Sequence, residues 1–145
     1  MNGVRILVVE DNEDHLFFIV RALREVSNDT LVIDSVGDGA EALDFIHRRG
    51  SFAGQPRPHL ILLDLKMPRV SGLEVLAHLK DDPELRSIPV AVLSTSDRRE
   101  DVDESYRRGT NTYIVKPTSL SGMREGMRAV SDFWTDVAAL PDPPA

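Results

Sequence analysis

Residues 60–68 read LILLDLKMP, and the change of character after the fourth residue organises the whole chain. Leu60 to Leu63 is a short, wholly apolar run, the pattern of a strand buried on both faces of a parallel sheet. Asp64 follows at once and places a carboxylate at that strand's C-terminal end. Four other segments share the pattern: Val4 to Val9 (VRILVV), Leu31 to Val36, Ile88 to Leu93 (IPVAVL) and Thr112 to Val115 (TYIV). Helical spacing fills the intervals. Leu16, Ile19, Leu23 and Val26 fall on one face, and Ala42, Leu43 and Ile46 on another. Gly72 opens a helix carrying Leu73, Leu76 and Leu79, which Pro83 ends. Residues Arg48 to Pro58 (RRGSFAGQPRP) form a polar loop marked by Gly and Pro.

The segment Asp97 to Arg108 is polar, with only Val102 and Tyr106 as large apolar anchors, so a weakly held and mobile helix is expected there. The last helix should run from Ser119 to Ala138. Leu120, Met123, Met127, Val130, Trp134 and Val137 recur at intervals of three and four, one continuous apolar stripe. That stripe docks on the sheet or, alternatively, forms a coiled-coil-like dimer seam, against which Gly122 and Gly126 argue. Residues 1–138 are read as one domain and 139–145 as a flexible tail, since Pro141, Pro143 and Pro144 cannot continue a helix.

Strands alternating with helices define an α/β fold: a doubly wound, five-stranded parallel sheet covered by helices on both faces. In such sheets the site lies beyond the C-terminal strand ends. Composition narrows the chemistry. The 145 residues carry a net charge of −7, which disfavours a nucleic-acid partner. The absence of cysteine excludes disulfides, thiolate metal sites and a cysteine nucleophile, and fits a reducing cytoplasm. No run reaches the length of a membrane span, and Glu10-Asp11 is wrong for a signal peptide.

The strand ends carry Glu10 and Asp11, then Asp64, then Ser94 and Thr95, then Lys116. Each has an ordinary reading: a helix cap for Glu10-Asp11-Asn12, a turn for Asp64, a cap for Ser94, a strand–helix junction for Lys116-Pro117. Their recurrence at four of five strand ends makes coincidence a poor account. Three carboxylates brought together repel, and a hard divalent cation resolves that repulsion; Mg2+ fits best, with Mn2+ or Ca2+ able to substitute. A lysine beside such an ion suits a phosphoryl group, and a carboxylate can accept one as an acyl phosphate.

Together VVEDN at 8–12, LLDLKMP at 62–68 with Ser71-Gly72, VLSTS at 92–96 and YIVKP at 113–117 resemble the response-regulator receiver family, CheY-like, over residues 4 to 138. Ser94 follows Asp64 by thirty residues and Lys116 follows Ser94 by twenty-two, as in that family. The resemblance implies the flavodoxin-like (βα)5 receiver fold with strand order 2-1-3-4-5. It implies Asp64 as phosphoacceptor, Lys116 as phosphate-binding lysine, Ser94 as switch hydroxyl and Tyr113 as switch aromatic, with Thr95 beside them. Glu10, Asp11, Asp64 and the Lys66 carbonyl would hold the metal, Lys66 and Ser96 would tune the phosphoryl lifetime, and Pro117 would follow a cis bond. The long Arg48–Pro58 loop resembles the stand-alone regulators of phytochrome-type histidine kinases.

The implied partner is a sensor histidine kinase docking near Asp14, His15 and Phe18, and the implied assembly is a homodimer through the fourth- and fifth-helix face. No output domain is expected, so the signal should leave through protein contacts. Three rival readings are weaker. A degenerate receiver that binds a partner without phosphorylation would not need the intact set of Glu10, Asp11, Asp64 and Lys116. An aspartate-nucleophile phosphatase needs a general acid two residues after the nucleophile, where this chain has Lys66. A zinc protein needs ligand spacing, and His15, His47, His59 and His78 lie in unrelated segments.

Overall fold

The structure, a computed structural model, describes residues 3–145. Strands β1 (Arg5–Val9), β2 (Val32–Val36), β3 (Leu60–Leu63), β4 (Val90–Ser94) and β5 (Thr112–Val115) alternate with helices α1 (Glu13–Ser27), α2 (Gly39–Ile46), α3 (Gly72–Asp81), α4 (Arg99–Arg107) and α5 (Leu120–Asp132). All pairings are parallel and the order is β2-β1-β3-β4-β5, as expected. Because side chains alternate along a strand, the sheet divides its own residues between two cores. Ile6, Val8, Leu60 and Leu62 join Ile19 and Leu23 of α1 and Met123 and Met127 of α5. Leu7, Val9, Ile61 and Leu63 face Phe45 and Ile46 of α2 and Val75 and Leu76 of α3.

The helix starts follow the sequence closely. Asn12, Asp38, Ser71 and Ser119 each accept a backbone N–H from the first turn of the helix they precede. Two helices open on glycine for lack of room. A Cβ on Gly39 would stand 2.0 Å from the Val70 carbonyl oxygen, and one on Gly72 would stand 2.0 Å from that of Asp64. Beside Gly39, Arg69 pairs with Asp38 at 2.6 Å and ties the loop after β3 to the start of α2.

Three expectations need correction. The fourth strand begins at Val90 rather than Ile88, because Ile88 donates its N–H to Leu85 in a turn and Pro89 has none to give. The last helix is not one continuous α-helix to Ala138. It passes at Phe133–Val137 into a single π turn, where the Thr135 hydroxyl donates to the Ser131 carbonyl at 2.6 Å. The apolar stripe is buried only in its middle: Met123, Met127 and Val130 are buried, whereas Leu120 at the helix start is 63% and Val137 in the π turn 74% exposed. Finally, the Lys116–Pro117 bond is trans, as is every other peptide bond among the described residues.

The Arg48–Pro58 loop contains a short 3-10 turn (Gly50–Phe52), anchored by Phe52 against Phe45 with ring centroids 5.3 Å apart. In residues 139–145, Leu140 packs on the α1/α5 core and the Ala145 carbonyl accepts a bond from Arg57. Helix α4 has one buried residue, Ser105, and leaves Tyr106 half exposed. At the opposite edge of the sheet from the strand ends, Lys80 donates to the carbonyls of Arg86 and Ile88 and to the Asn111 side chain. Burial pulls its amine below the ordinary lysine range.

Because a Gly72 methyl group would displace backbone rather than a flexible side chain, Gly72→Ala should lower stability by about 1–3 kcal/mol in urea denaturation.

Candidate functional site

The hydrogen-bond ladder runs one residue past each strand and fixes the backbone of the strand-end residues. Glu10 donates its N–H to Val36, Asp64 to Val9 and Lys116 to Ser94, at 3.1, 3.0 and 2.7 Å. Their side chains therefore project into one hollow at the sheet edge. Glu10, Asp64, Ser94 and Lys116 are all buried there, and Asp11 is exposed at the rim. Carboxylate oxygens of Glu10, Asp11 and Asp64 lie within 4.8 Å of one another. The Lys116 ammonium donates to Glu10 Oε1 and stands 3.9 Å from Asp64 Oδ2.

This arrangement leaves charge unbalanced. Ionised, three carboxylates and one lysine sum to a negative cluster, and Asp64 takes the strain. Its carboxyl is pushed up to about 7, chiefly by burial and then by the neighbouring Glu10, while Lys116 and the Lys66 amide pull the other way. Glu10 Oε2 is buried without a hydrogen-bond partner. A buried orphan oxygen, converging carboxylates and a carboxyl held against ionisation are together what a hard divalent cation would relieve. Glu10, Asp11 and Asp64 thus fit such an ion, with the Lys66 carbonyl in the adjoining loop.

A second group of expected residues meets on the β4 side. The Ser94 hydroxyl accepts the Ser96 N–H at 3.2 Å, and the Tyr113 hydroxyl donates to the Ser96 carbonyl at 2.8 Å. The Ser96 hydroxyl in turn donates to Asp101 in the first turn of α4. Ser94, Ser96, Tyr113 and α4 therefore form one connected chain, in which Asp101 is a member that sequence spacing did not single out. Thr95 and the Lys66 side chain are exposed. Thr95 lines a cleft of about 410 Å³ together with His15, Phe18, Lys116 and Pro117.

His15, expected near the kinase-docking surface, also reaches the site: its ring nitrogen lies 3.1 Å from Glu10 Oε1 and 3.0 Å from Lys116 Nζ. The signal was present: Asn12 caps α1, so the residue three positions on lies one turn in, beside the strand end. Asp14 is exposed, and Phe18 borders the cleft. Its neighbour Phe17 is exposed, at 59%.

A doubly wound sheet whose strand ends gather acids, a lysine and a serine defines a narrow class, and comparison with known proteins agrees. The chain belongs to the response regulator receiver domain family, which it matches over residues 6–128. It is 37% identical over 136 residues to the response regulator Rcp1 of Synechocystis, covering 94% of this chain and 92% of that one. Its structure is similar to that of the phosphorylated cyanobacterial phytochrome response regulator RcpA, with a TM-score of 0.92, 40% identity and coverage of 97% and 99% of the two chains. The Mn2+-bound form of Rcp1 is also similar, with a TM-score of 0.86, 35% identity and coverage of 96% and 99%.

The raised Asp64 carboxyl has a consequence for stability. Between the unfolded value of 3.8 and the folded value of about 7, the folded chain holds a proton that the unfolded chain has released. This contribution is therefore fully present below the unfolded value and lost as pH rises through the folded one. Without divalent cations, the stability of Asp64→Asn relative to wild type should rise across that window. Urea midpoints taken at steps from about pH 4 to pH 8 would show it, and a flat difference would refute it.

Proposed function

We propose that the protein is a phosphoryl-accepting switch, charged at Asp64 by a histidine kinase. The observation that carries this reading is the convergence of Asp64 with Glu10, Asp11 and Lys116 at one sheet edge. The phosphorylated state of the similar RcpA and the Mn2+-bound state of Rcp1 support it. In the transfer, an Asp64 carboxylate oxygen attacks phosphorus in line as the bond to the kinase imidazole nitrogen breaks. A divalent cation, Mg2+ by preference, supplies positive charge to the phosphoryl oxygens when bound by Glu10, Asp11, Asp64 and the Lys66 carbonyl. Lys116 leaves Glu10 to pair with a second phosphoryl oxygen, and His15, which touches both, holds it in reach.

The output follows from the bonds that must be exchanged. To reach the phosphoryl group, the Ser94 hydroxyl gives up the Ser96 N–H. Release of that strand end loosens the Tyr113–Ser96 bond, so Tyr113 can turn inward and α4, joined through Asp101, can shift. Because few residues anchor α4, the two states lie close in free energy, and the phosphoryl group selects between them. Water attacking phosphorus in line resets the switch, and Lys66 and Ser96, beside that path, set its rate. The chain is a phosphoacceptor and not a turnover enzyme: the residue two after Asp64 is Lys66, a cation where an aspartyl phosphatase places its acid.

The kinase, of phytochrome type as with the similar regulators, is placed on the α1 side at Asp14 and Phe18, with His15 serving the pocket. A second copy of the chain is placed on the α4–β5–α5 flank, where Tyr106, Val115 and Phe133 are exposed. The proposed location is the cytoplasm, in keeping with a chain that has no cysteine.

Acetyl phosphate or phosphoramidate with Mg2+ should add one phosphoryl group that hydroxylamine removes, read by intact mass. Asp64→Asn should abolish it; undiminished labelling of that variant would overturn the proposal. Sedimentation velocity should show dimers that Tyr106→Glu converts to monomers, and an unchanged distribution would remove this flank as the dimer face.

A further inference from the structure

His47 and His78 lie far apart in the chain, yet the fold brings their side chains into direct contact. The two Nε2 atoms are 2.7 Å apart and the rings meet edge to face, with centroids 5.0 Å apart. This corrects the expectation that the histidines stand in unrelated places. His47 caps the C-terminus of α2, and His78 lies in the last turn of α3. Two helix C-termini thus converge on this pair, and each contributes the partial negative charge of its free carbonyl groups. Cations are favoured at such a place.

The immediate surroundings carry both signs. Arg49 and Arg57 act on His47 with positive charge, and Asp82, the residue that ends α3, acts with negative charge. Burial, then Arg49, His78 and Arg57, hold the His47 imidazole below its ordinary value. At neutral pH it is therefore uncharged and keeps a lone pair, the form in which imidazole binds metal. An imidazole–imidazole bond satisfies one nitrogen with the other's proton. When that proton moves to Nδ1 of its own ring, both rings stay neutral and both Nε2 lone pairs can face one ion.

The geometry is close to what an ion needs. Two nitrogens bound about 2.0–2.1 Å from one metal in neighbouring positions are separated by about 2.9–3.3 Å, a few tenths of an ångström more than here. Rotation of two half-buried rings covers that difference. The donors also separate this place from the acidic cluster. Oxygen donors select Mg2+, whereas paired imidazoles select borderline ions such as Zn2+ and Cu2+.

We propose that His47 and His78 form a two-histidine site for a borderline divalent transition ion, completed by water and the Asp82 carboxylate, that clamps α2 to α3. The site is independent of the chemistry at Asp64. Arg49 and Arg57 weaken it, so it responds to changing metal levels instead of holding an ion permanently.

The test uses the full chain in excess Mg2+, which keeps the acidic cluster occupied, with Zn2+ as the probe. Histidine side-chain nitrogen resonances are followed by NMR. The expected result is a joint shift of the His47 and His78 Nε2 signals that saturates at one Zn2+ per chain, with His59 unmoved. In His47→Gln the His78 shift should be lost, and in His78→Gln the His47 shift should be lost. The wild-type titration decides the matter alone should either variant fail to fold. Signals of the pair that stay still at stoichiometric Zn2+, or a His78 shift that survives in His47→Gln, would overturn the site.

Discussion

Glu10 and Asp64 follow two strands paired in register, Val9 opposite Leu63, so their carboxylates have no means of avoiding one another. The backbone ladder holds both residues by their own N–H groups, and apolar strands behind them exclude water. The core that stabilises the domain is thus the same structure that crowds like charges at its edge. Every notable feature nearby answers that constraint. Lys116 projects from β5 to pair with Glu10, His15 leans in from α1, and the Asp64 carboxyl resists ionisation. A site whose own groups cannot balance its charge is prepared for a cation and then for an anion that the cation can hold.

That crowding is confined to one place because the loops around it are held by contacts with no spare room. Gly72 lets α3 start against the Asp64 carbonyl, and Gly39 lets α2 start against Val70. Arg69, at φ 65°, turns back to Asp38 and closes the same gap from outside. These loops are rigid where the acids sit, whereas the β4–α4 side is joined by single hydroxyl bonds through Ser94, Ser96 and Tyr113. Close packing on one side and exchangeable bonds on the other suit the proposed switch: a fixed place to receive charge and an element able to report it.

Much of this was legible in the chain. LILL before Asp64, and the like runs before Glu10, Ser94 and Lys116, placed the site because buried parallel strands are nearly pure apolar sequence with an abrupt polar end. Helix starts were legible through Asn12, Asp38, Ser71 and Ser119. The misreadings have specific causes. The α5 stripe assumes unbroken α geometry, and periodicity does not register the one-residue slip that the Thr135 hydroxyl accompanies. Ile88 looked like strand because apolar content does not reveal which N–H a proline withholds from the ladder. The place of Asp101 and the His47–His78 contact were hidden for a common reason: each depends on how one element faces another, which no local pattern encodes. Phe52 was lost inside a polar loop although it anchors that loop to α2.

Lys80 has a further consequence. This half-buried amine gathers carbonyl oxygens from the loop after α3 and the side chain of Asn111 in the turn after α4. Asn111 also accepts the Val90 N–H at the first residue of β4, and Gly109 lies flat against the lysine stem. The C-terminus of α4 is thereby bolted to the end of the sheet remote from the acids. Its N-terminus rests on the Ser96–Asp101 bond. If α4 shifts as proposed, its displacement would grow with distance from Asn111, as in a lever turning about a fixed fulcrum. The largest excursion would then fall at Arg98 to Asp101, on the surface beside the acidic cluster.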